Sequence, residues 1–309
     1  MKDRSIRYGQ VKTAADLDEF MQEVLRGYEY EEPILVKPNW ANALPVSEPH
    51  FQALLHVLDC LDSHTVSVVE SYSAWRNQEY REYFLETHDL YWEEKVTPEN
   101  GKDMWKWLKD QDEWFLQTFG FFHYFSNHQI SYINCTEEVW KDRVTPPDNI
   151  REELGERCDL VENQNMVHMI PISLWDLRGH ILINFTKIYD TGIYAAKNLM
   201  GLIPEPNRTY YHGKNDALLL SSIHDINIIY RSLFQVIDVV ESLQQYQLIM
   251  SASNPAQLDE VGCLVLESGL QDAYHDVEKA RALFGSYPAL SPADISSFVQ
   301  EAIKGHAGQ

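Results

Sequence analysis

The stretch ILVKPNW (residues 34–40), taken with TVSVVES (65–71), decides the fold. Ile34-Leu35-Val36 is a short, wholly apolar run, the pattern of a strand covered on both faces. Lys37, Pro38 and Asn39 follow at its C-terminal end. Residues 65–71 repeat the design, with apolar positions leading to Glu70 and Ser71. A helix is expected on either side of the first run. One spans 13–26, where Thr13 and Asp16 fit a capping box and Leu17, Phe20, Met21, Val24 and Leu25 share a face. The other spans about 49–61, with Phe51, Leu54, Leu55, Leu58 and Leu61 inward. Helix, strand, helix, strand implies a right-handed crossover and parallel strands. Lys37, Asn39 and Glu70 then emerge on the one sheet edge where open α/β sheets bind ligands.

Outward from this unit, ISYIN (130–134), MVHMIPI (166–172), GHILINF (179–185), FQVIDVVES (234–242) and LIMSAS (248–253) read as further strands. An acidic helix is expected near 148–157, a short one at 191–201 and a long one at about 216–232. Another begins at Asn254-Pro255, and two acidic helices should close the chain near 272–284 and 291–304. At 191–201, Thr191 or Asp190 is the expected cap and Gly201 the expected C-terminal glycine. The class is therefore α/β, a largely parallel sheet flanked by helices. Residues 73–125 differ in character, holding five of the eight tryptophans. They can be read as an aromatic lid or partner surface. We favour a helical insertion whose aromatics pack on the sheet, because aromatics at helical spacing usually belong to a core. The expected organisation is 1–72 as the first part of the α/β domain, 73–128 as the insertion and 129–309 as the remainder.

Composition narrows the function. With 309 residues, 44% of them hydrophobic, the chain can bury a sizeable core. A formal charge of −22 disfavours nucleic acid and anionic membranes. No apolar run reaches the length of a membrane span and the N-terminus lacks an apolar signal core, so a cytoplasmic protein is expected. Cys60, Cys135, Cys158 and Cys263 form no C-x-x-C pair, so no iron–sulfur cluster and no zinc ribbon is expected. Nucleotide-binding, serine-hydrolase and zinc-protease signatures are absent.

Against that acidic background, residues 178–214 carry Arg178, Lys187, Lys197, Arg208 and Lys214 against Asp190 and Glu205, a local +3. Cations gathered in an acidic protein usually serve an anion. Lys187 closes a strand. Lys197 sits in a largely apolar helix where free exposure is unfavourable. Beside another cation, such a lysine can lose its proton and act as a base. His212, in a polar loop near these lysines, can act as acid, base or ligand. His224, inside a helix, reads as structural. Asp238 lies among Val236, Ile237, Val239 and Val240 and needs a partner, for which a lysine or His212 is expected. The spacing admits a metal held by His212 with acids but does not demand one.

The segments ILVKPNW, VVES, NFTKIY, TGIYAAKNLMGLIP, YYHG and VID, with LIMSASNPAQLDEVGCLVLE and its Asp259, together resemble the family called domain of unknown function 362. The resemblance covers most of the chain outside the Trp-rich segment. It implies site roles for Lys37, Asn39, Glu70, Lys187, Lys197, Asn198, Gly201, His212 and Asp238. Two departures stand out. Tyr189 replaces the histidine of the Lys-x-His found in many members, and the ferredoxin-like cysteine module of many members is missing. The order of histidine, glycine, lysine, glycine and histidine is also remotely similar to the nickel-pincer lactate racemase family. There a lysine and histidines hold the cofactor and move protons; Lys197 and His212 would be the counterparts.

These readings combine into one expectation. The protein is an enzyme acting on a small carboxylate or phosphate metabolite by lysine/histidine acid–base chemistry, moving a proton or hydride in an isomerase-like or biosynthetic step. Lys197, His212, Tyr189, Glu70 and Asp238 are the expected catalytic residues, and Lys37, Asn39, Lys187, Asn198 and Arg208 bind substrate. The rival is a non-catalytic binding module, with the Trp-rich insertion as the surface for a homo-oligomer or a partner protein.

Overall fold

The computed structural model describes residues 6–26, 28, 32–41, 47–77, 98–188, 193–213, 217–243 and 247–265. The strands are β1 (Arg7–Gln10), β2 (Ile34–Lys37), β3 (Val66–Glu70), β4 (Ser131–Asn134), β5 (Ile181–Lys187), β6 (Gln235–Ser242) and β7 (Leu248–Ala252). The helices are α1 (Ala14–Leu25), α2 (Ser47–Cys60), α3 (Pro98–Thr118), α4 (Phe121–His128), α5 (Cys135–Trp140) and α6 (Pro147–Leu154), followed by α7 (Ile172–Asp176), α8 (Ala195–Asn198), α9 (Asn207–His212), α10 (Leu219–Leu233) and α11 (Pro255–Val265). The seven strands form one sheet in the order β1-β7-β6-β5-β2-β3-β4. The five from β6 to β4 run parallel, while β7 is antiparallel to both of its neighbours. The fold is therefore α/β with a mostly parallel sheet.

Both faces of the sheet are covered, which explains the unbroken apolar runs. Ile34, Val36, Val68, Ile183, Phe185 and Val239 pack toward α1 and α2. Leu35, Val69 and Leu182 point the other way, into a core with Ile150, Ile226 and Tyr230. Helix α1 begins as expected: Thr13 and Asp16 form a reciprocal capping box. The rest of the Trp-rich region, where described, is the β3-to-β4 connection. Its helices α3 and α4 put Phe115, Leu116, Phe121 and Phe125 into the same core as Trp40 and Phe51. Residues 78–97, including Trp92, lie outside the described residues, as do the two helices expected after 265.

Strand order locates the site. From β2 the chain adds β3 and β4 on one side, then returns to add β5 and β6 on the other. The reversal falls between β2 and β5, and at such a switch point the connecting loops part and leave a crevice at the strand C-termini. Lys37 pairs in register with Asn184, and Lys187 with Glu241.

One expected strand is corrected and one unexpected strand is found. Residues 166–172 do not form a strand. They make a 3-10 turn at Gln164–Met169 that leads into α7. The carboxylate of Asp225 on α10 accepts from the backbone N–H groups of Glu162 and Asn163, which pulls the chain into turns where the apolar composition alone suggests extension. Conversely, β1 carries no apolar run and is a strand because it pairs with β7.

Candidate functional site

The first cluster lies at the ends of β2 and β3. Lys37 Nζ forms an ion pair with Glu70 Oε2 at 3.0 Å, donates to the Pro38 carbonyl at 2.6 Å and approaches Asn198 Oδ1 at 3.5 Å. Lys37 is only 1% exposed and Glu70 2%. Burial holds the Lys37 ammonium below its ordinary range, and Glu70 works against that shift. Gly201 closes the cluster from above. A Cβ there would lie 2.6 Å from Lys37 Nζ and 2.8 Å from Glu70 Oε1. Gly201 is thus required for close approach. Its expected place as the C-terminal glycine of the helix is corrected, because α8 runs on into a 3-10 turn at Leu199–Leu202 that contains Gly201.

The network continues outward through arginines. Arg76 lies 4.0 Å from Glu70, pairs with Asp112 of α3 at 2.9 Å and donates to the carbonyls of Trp40 and Ser71. Tyr132 donates to the other Asp112 oxygen at 2.8 Å. Arg208, expected to bind substrate, spends its donors on Glu205, on the Tyr72 carbonyl at 2.6 Å and on the Gly201 carbonyl.

The second cluster lies at the ends of β5 and β6. Lys187 is 1% exposed. Its Nζ donates to Ser47 Oγ at 3.0 Å, reaches the Ala41 carbonyl at 3.4 Å and stands 5.5 Å from the centre of the Phe51 ring. No carboxylate of the described residues lies within ion-pair distance of it. Burial pushes this ammonium down to about 7, with Glu241 opposing from a distance. One turn along α2 from Ser47, His50 Nδ1 meets Glu241 Oε1 at 2.7 Å. Asn39 bridges the clusters by donating to Thr186 Oγ1 at 3.0 Å.

A third set of contacts seats α8. Asp259 of α11 accepts from the N–H groups of Tyr194 and Ala195 at 2.8 and 2.7 Å, and from Ala196 at 3.3 Å. The cap thus comes from 65 residues away; the expected local caps, Asp190 and Thr191, lie outside the described residues. Asn184 donates to the Ala195 carbonyl and to Asp238, and accepts from Asn198 at 2.8 Å. Asp238 corrects its expected pairing. Its partner is neither a lysine nor His212 but Arg231 of α10, which contacts both carboxylate oxygens at 2.9 and 2.7 Å.

The expected site residues therefore divide. Lys37, Glu70 and Asn198 meet directly, Asn39 joins through Thr186, and Lys187 sits beyond them. Lys197 is half-buried, and its side chain has no hydrogen-bond or ion-pair partner among the described residues. His212 ends α9 and is not among the groups contacting Lys37, Glu70, Lys187 or Lys197. Tyr189 lies outside the described residues. His50, Glu241, Arg76, Asp112 and Arg231 were missed. His50 offered a signal, as a polar residue on an otherwise apolar helix face beside Phe51. Arg231 meets Asp238 seven residues on, across the turn from α10 to β6, whereas Glu241, Arg76 and Asp112 acquire meaning only through partners far along the chain.

Among the described residues no group of three or more His, Cys, Asp or Glu is placed to hold a metal ion, and no helix is long and apolar enough to cross a membrane. Comparison with protein-family models, with curated proteins and with solved structures found no match in any of the three. The family resemblances therefore rest on the quoted residues alone.

Proposed function

We propose that this protein is an enzyme acting on a small carboxylate- or phosphate-bearing molecule bound in the crevice between β2 and β5. One observation carries the reading: Lys187 is a buried ammonium with no carboxylate of the described residues in ion-pair range. A buried charge without a counter-ion is costly, and a ligand anion would supply the missing charge. In contrast, Lys37 is already neutralised by Glu70 and shapes the crevice floor. An ammonium pushed down to about 7 also has both protonation states within reach at neutral pH, as acid–base chemistry requires.

The test is binding of acetate, phosphate and small hydroxy and keto acids, followed by calorimetry in two buffers of different ionisation enthalpy. Anion binding should take up protons near pH 7.5, because a bound anion draws Lys187 back toward its charged form. Lys187→Met should abolish both the binding and the uptake. Binding that survives in Lys187→Met would refute the assignment.

A specific observation favours the rival, a binding module. A cavity of about 770 Å³ opens between α3, α4 and β4, lined by Tyr72, Leu116, Phe122, Phe125 and Tyr132 among others. Phe122 is 64% exposed and Trp114 40% exposed on the same helical unit. If Lys187→Met left every function intact while substitution of Phe122 abolished partner capture, the binding module would be the better reading.

A further inference from the structure

His50 of α2 and Glu241 of β6 form a buried pair at the sheet edge. His50 is fully enclosed, and its ring stacks on Phe185 with centroids 4.9 Å apart and planes 13° apart. Its Nδ1 faces Glu241 Oε1 at 2.7 Å, while Glu241 Oε2 accepts from the Leu243 N–H at 2.7 Å. The carboxylate is thus held at both oxygens and the imidazole is held by carboxylate and ring. A carboxylate accepts, so Nδ1 carries the proton and Nε2 carries the lone pair. That Nε2 atom is buried and has no hydrogen-bond partner among the described residues. A buried acceptor left unmatched costs stability, and such orphans call for a functional account.

Its neighbours supply the account. Glu241 stands directly opposite Lys187 in the β5–β6 register. Ser47, which receives the Lys187 ammonium, lies one turn before His50 on α2. Residues three apart on a helix have Cβ atoms about 5–6 Å apart. The charged groups acting on His50 are Glu241 on β6, Lys187 on β5 and Lys37 on β2. Burial first, and then the two lysines, keep the imidazole neutral by pushing it down to about 4.

We propose that Glu241 and His50 form the proton-transfer pair of this crevice, with Nε2 accepting a proton from the anion seated at Lys187. This rests on the anion-binding reading above. The O–H or activated C–H bond of the ligand breaks, its electron pair stays on the ligand and its proton forms the new Nε2–H bond. The resulting imidazolium is balanced by Glu241 and the ligand's new negative charge by the Lys187 ammonium. Return of the proton restores the site, with no oxidant or reductant.

The test uses the whole protein labelled with 15N-histidine, with the His50 signals assigned by their loss in His50→Gln. Nδ1 should appear protonated and Nε2 unprotonated. Titration with inorganic phosphate and with acetate should move the Nε2 resonance in the wild type but not in Lys187→Met. His50→Gln should keep its phosphate affinity within about threefold, because the base is not the seat of the anion. An Nε2–H tautomer overturns the proposal without touching the anion reading. So does an Nε2 resonance that stays still while phosphate or acetate demonstrably binds through Lys187. If neither anion binds the wild type, the function reading fails and this inference with it.

Discussion

Lys37 and Glu70 close a buried ion pair of 3.0 Å across neighbouring parallel strands, and the backbone of Gly201 rests against both. Each member of the pair has more than one partner. The Pro38 carbonyl accepts from the ammonium, and the Ser71 N–H donates to the carboxylate. Neither ion has room to retreat.

Gly201→Ala should therefore be severe for so small a change. The added methyl would meet Lys37 Nζ at 2.6 Å and force the pair apart or the 3-10 turn outward. Overpacking and a broken buried pair together should cost about 2–4 kcal/mol. Urea unfolding would measure it, and a loss below about 0.5 kcal/mol would show that the turn simply moves aside.

Lys187 should make stability depend on pH. Its folded-state value, about 7, lies below the ordinary 10.5. Between those limits the unfolded chain holds a proton that the folded chain sheds, so this residue makes stability rise with pH across that window. The slope is at most about 1.4 kcal/mol per pH unit. Lys187→Met should raise the urea midpoint at pH 6.5, lose that advantage by pH 10 and flatten the wild-type slope. An unchanged slope would mean that the ammonium stays fully charged.

Asp238 and Arg231 should behave as a unit. Asp238 is fully buried and receives both contacts from one guanidinium, with Asn184 adding a third donor. Removing either partner should cost about 3–5 kcal/mol, since a buried charge is left alone. The double variant Asp238→Asn with Arg231→Met should be more stable than the sum of the single losses predicts. Strict additivity in the cycle would show that the two residues do not interact.

Asp259→Ala should loosen the platform that carries Lys197 and Asn198. It orphans the N–H groups of Tyr194, Ala195 and Ala196, at about 1–3 kcal/mol for unsatisfied buried donors. Hydrogen exchange at residues 194–198 should accelerate well beyond the global change. Uniform acceleration across the sheet would point to general destabilisation only.

Much of the frame was legible from local pattern. Ile34-Leu35-Val36 and Ile181-Leu182-Ile183 announce strands covered on both faces, and Thr13 with Asp16 announces a helix start, because these signals act within a few residues. The errors arose where a distant group overrode local preference. Asp225 holds the N–H groups of Glu162 and Asn163 just ahead of the strand expected at 166–172, and β1 exists only through β7.

The sequence by itself determined that cations, carboxylates and amides stand at the C-terminal ends of parallel strands. Strand ends follow from apolar run length, and direction follows from crossover handedness. Only the tertiary structure decided which of these groups meet. Placing β3 beside β2 sets Lys37 against Glu70, placing β5 beside β2 brings Asn184 and, through it, Asn198 to the same edge, and placing β6 beside β5 brings Asp238 to Asn184 and Glu241 to the edge where it meets His50. Polar groups separated by up to 191 residues have no local rule that pairs them. Their partners are fixed by the order in which strands enter the sheet, and that order depends on how whole apolar faces pack.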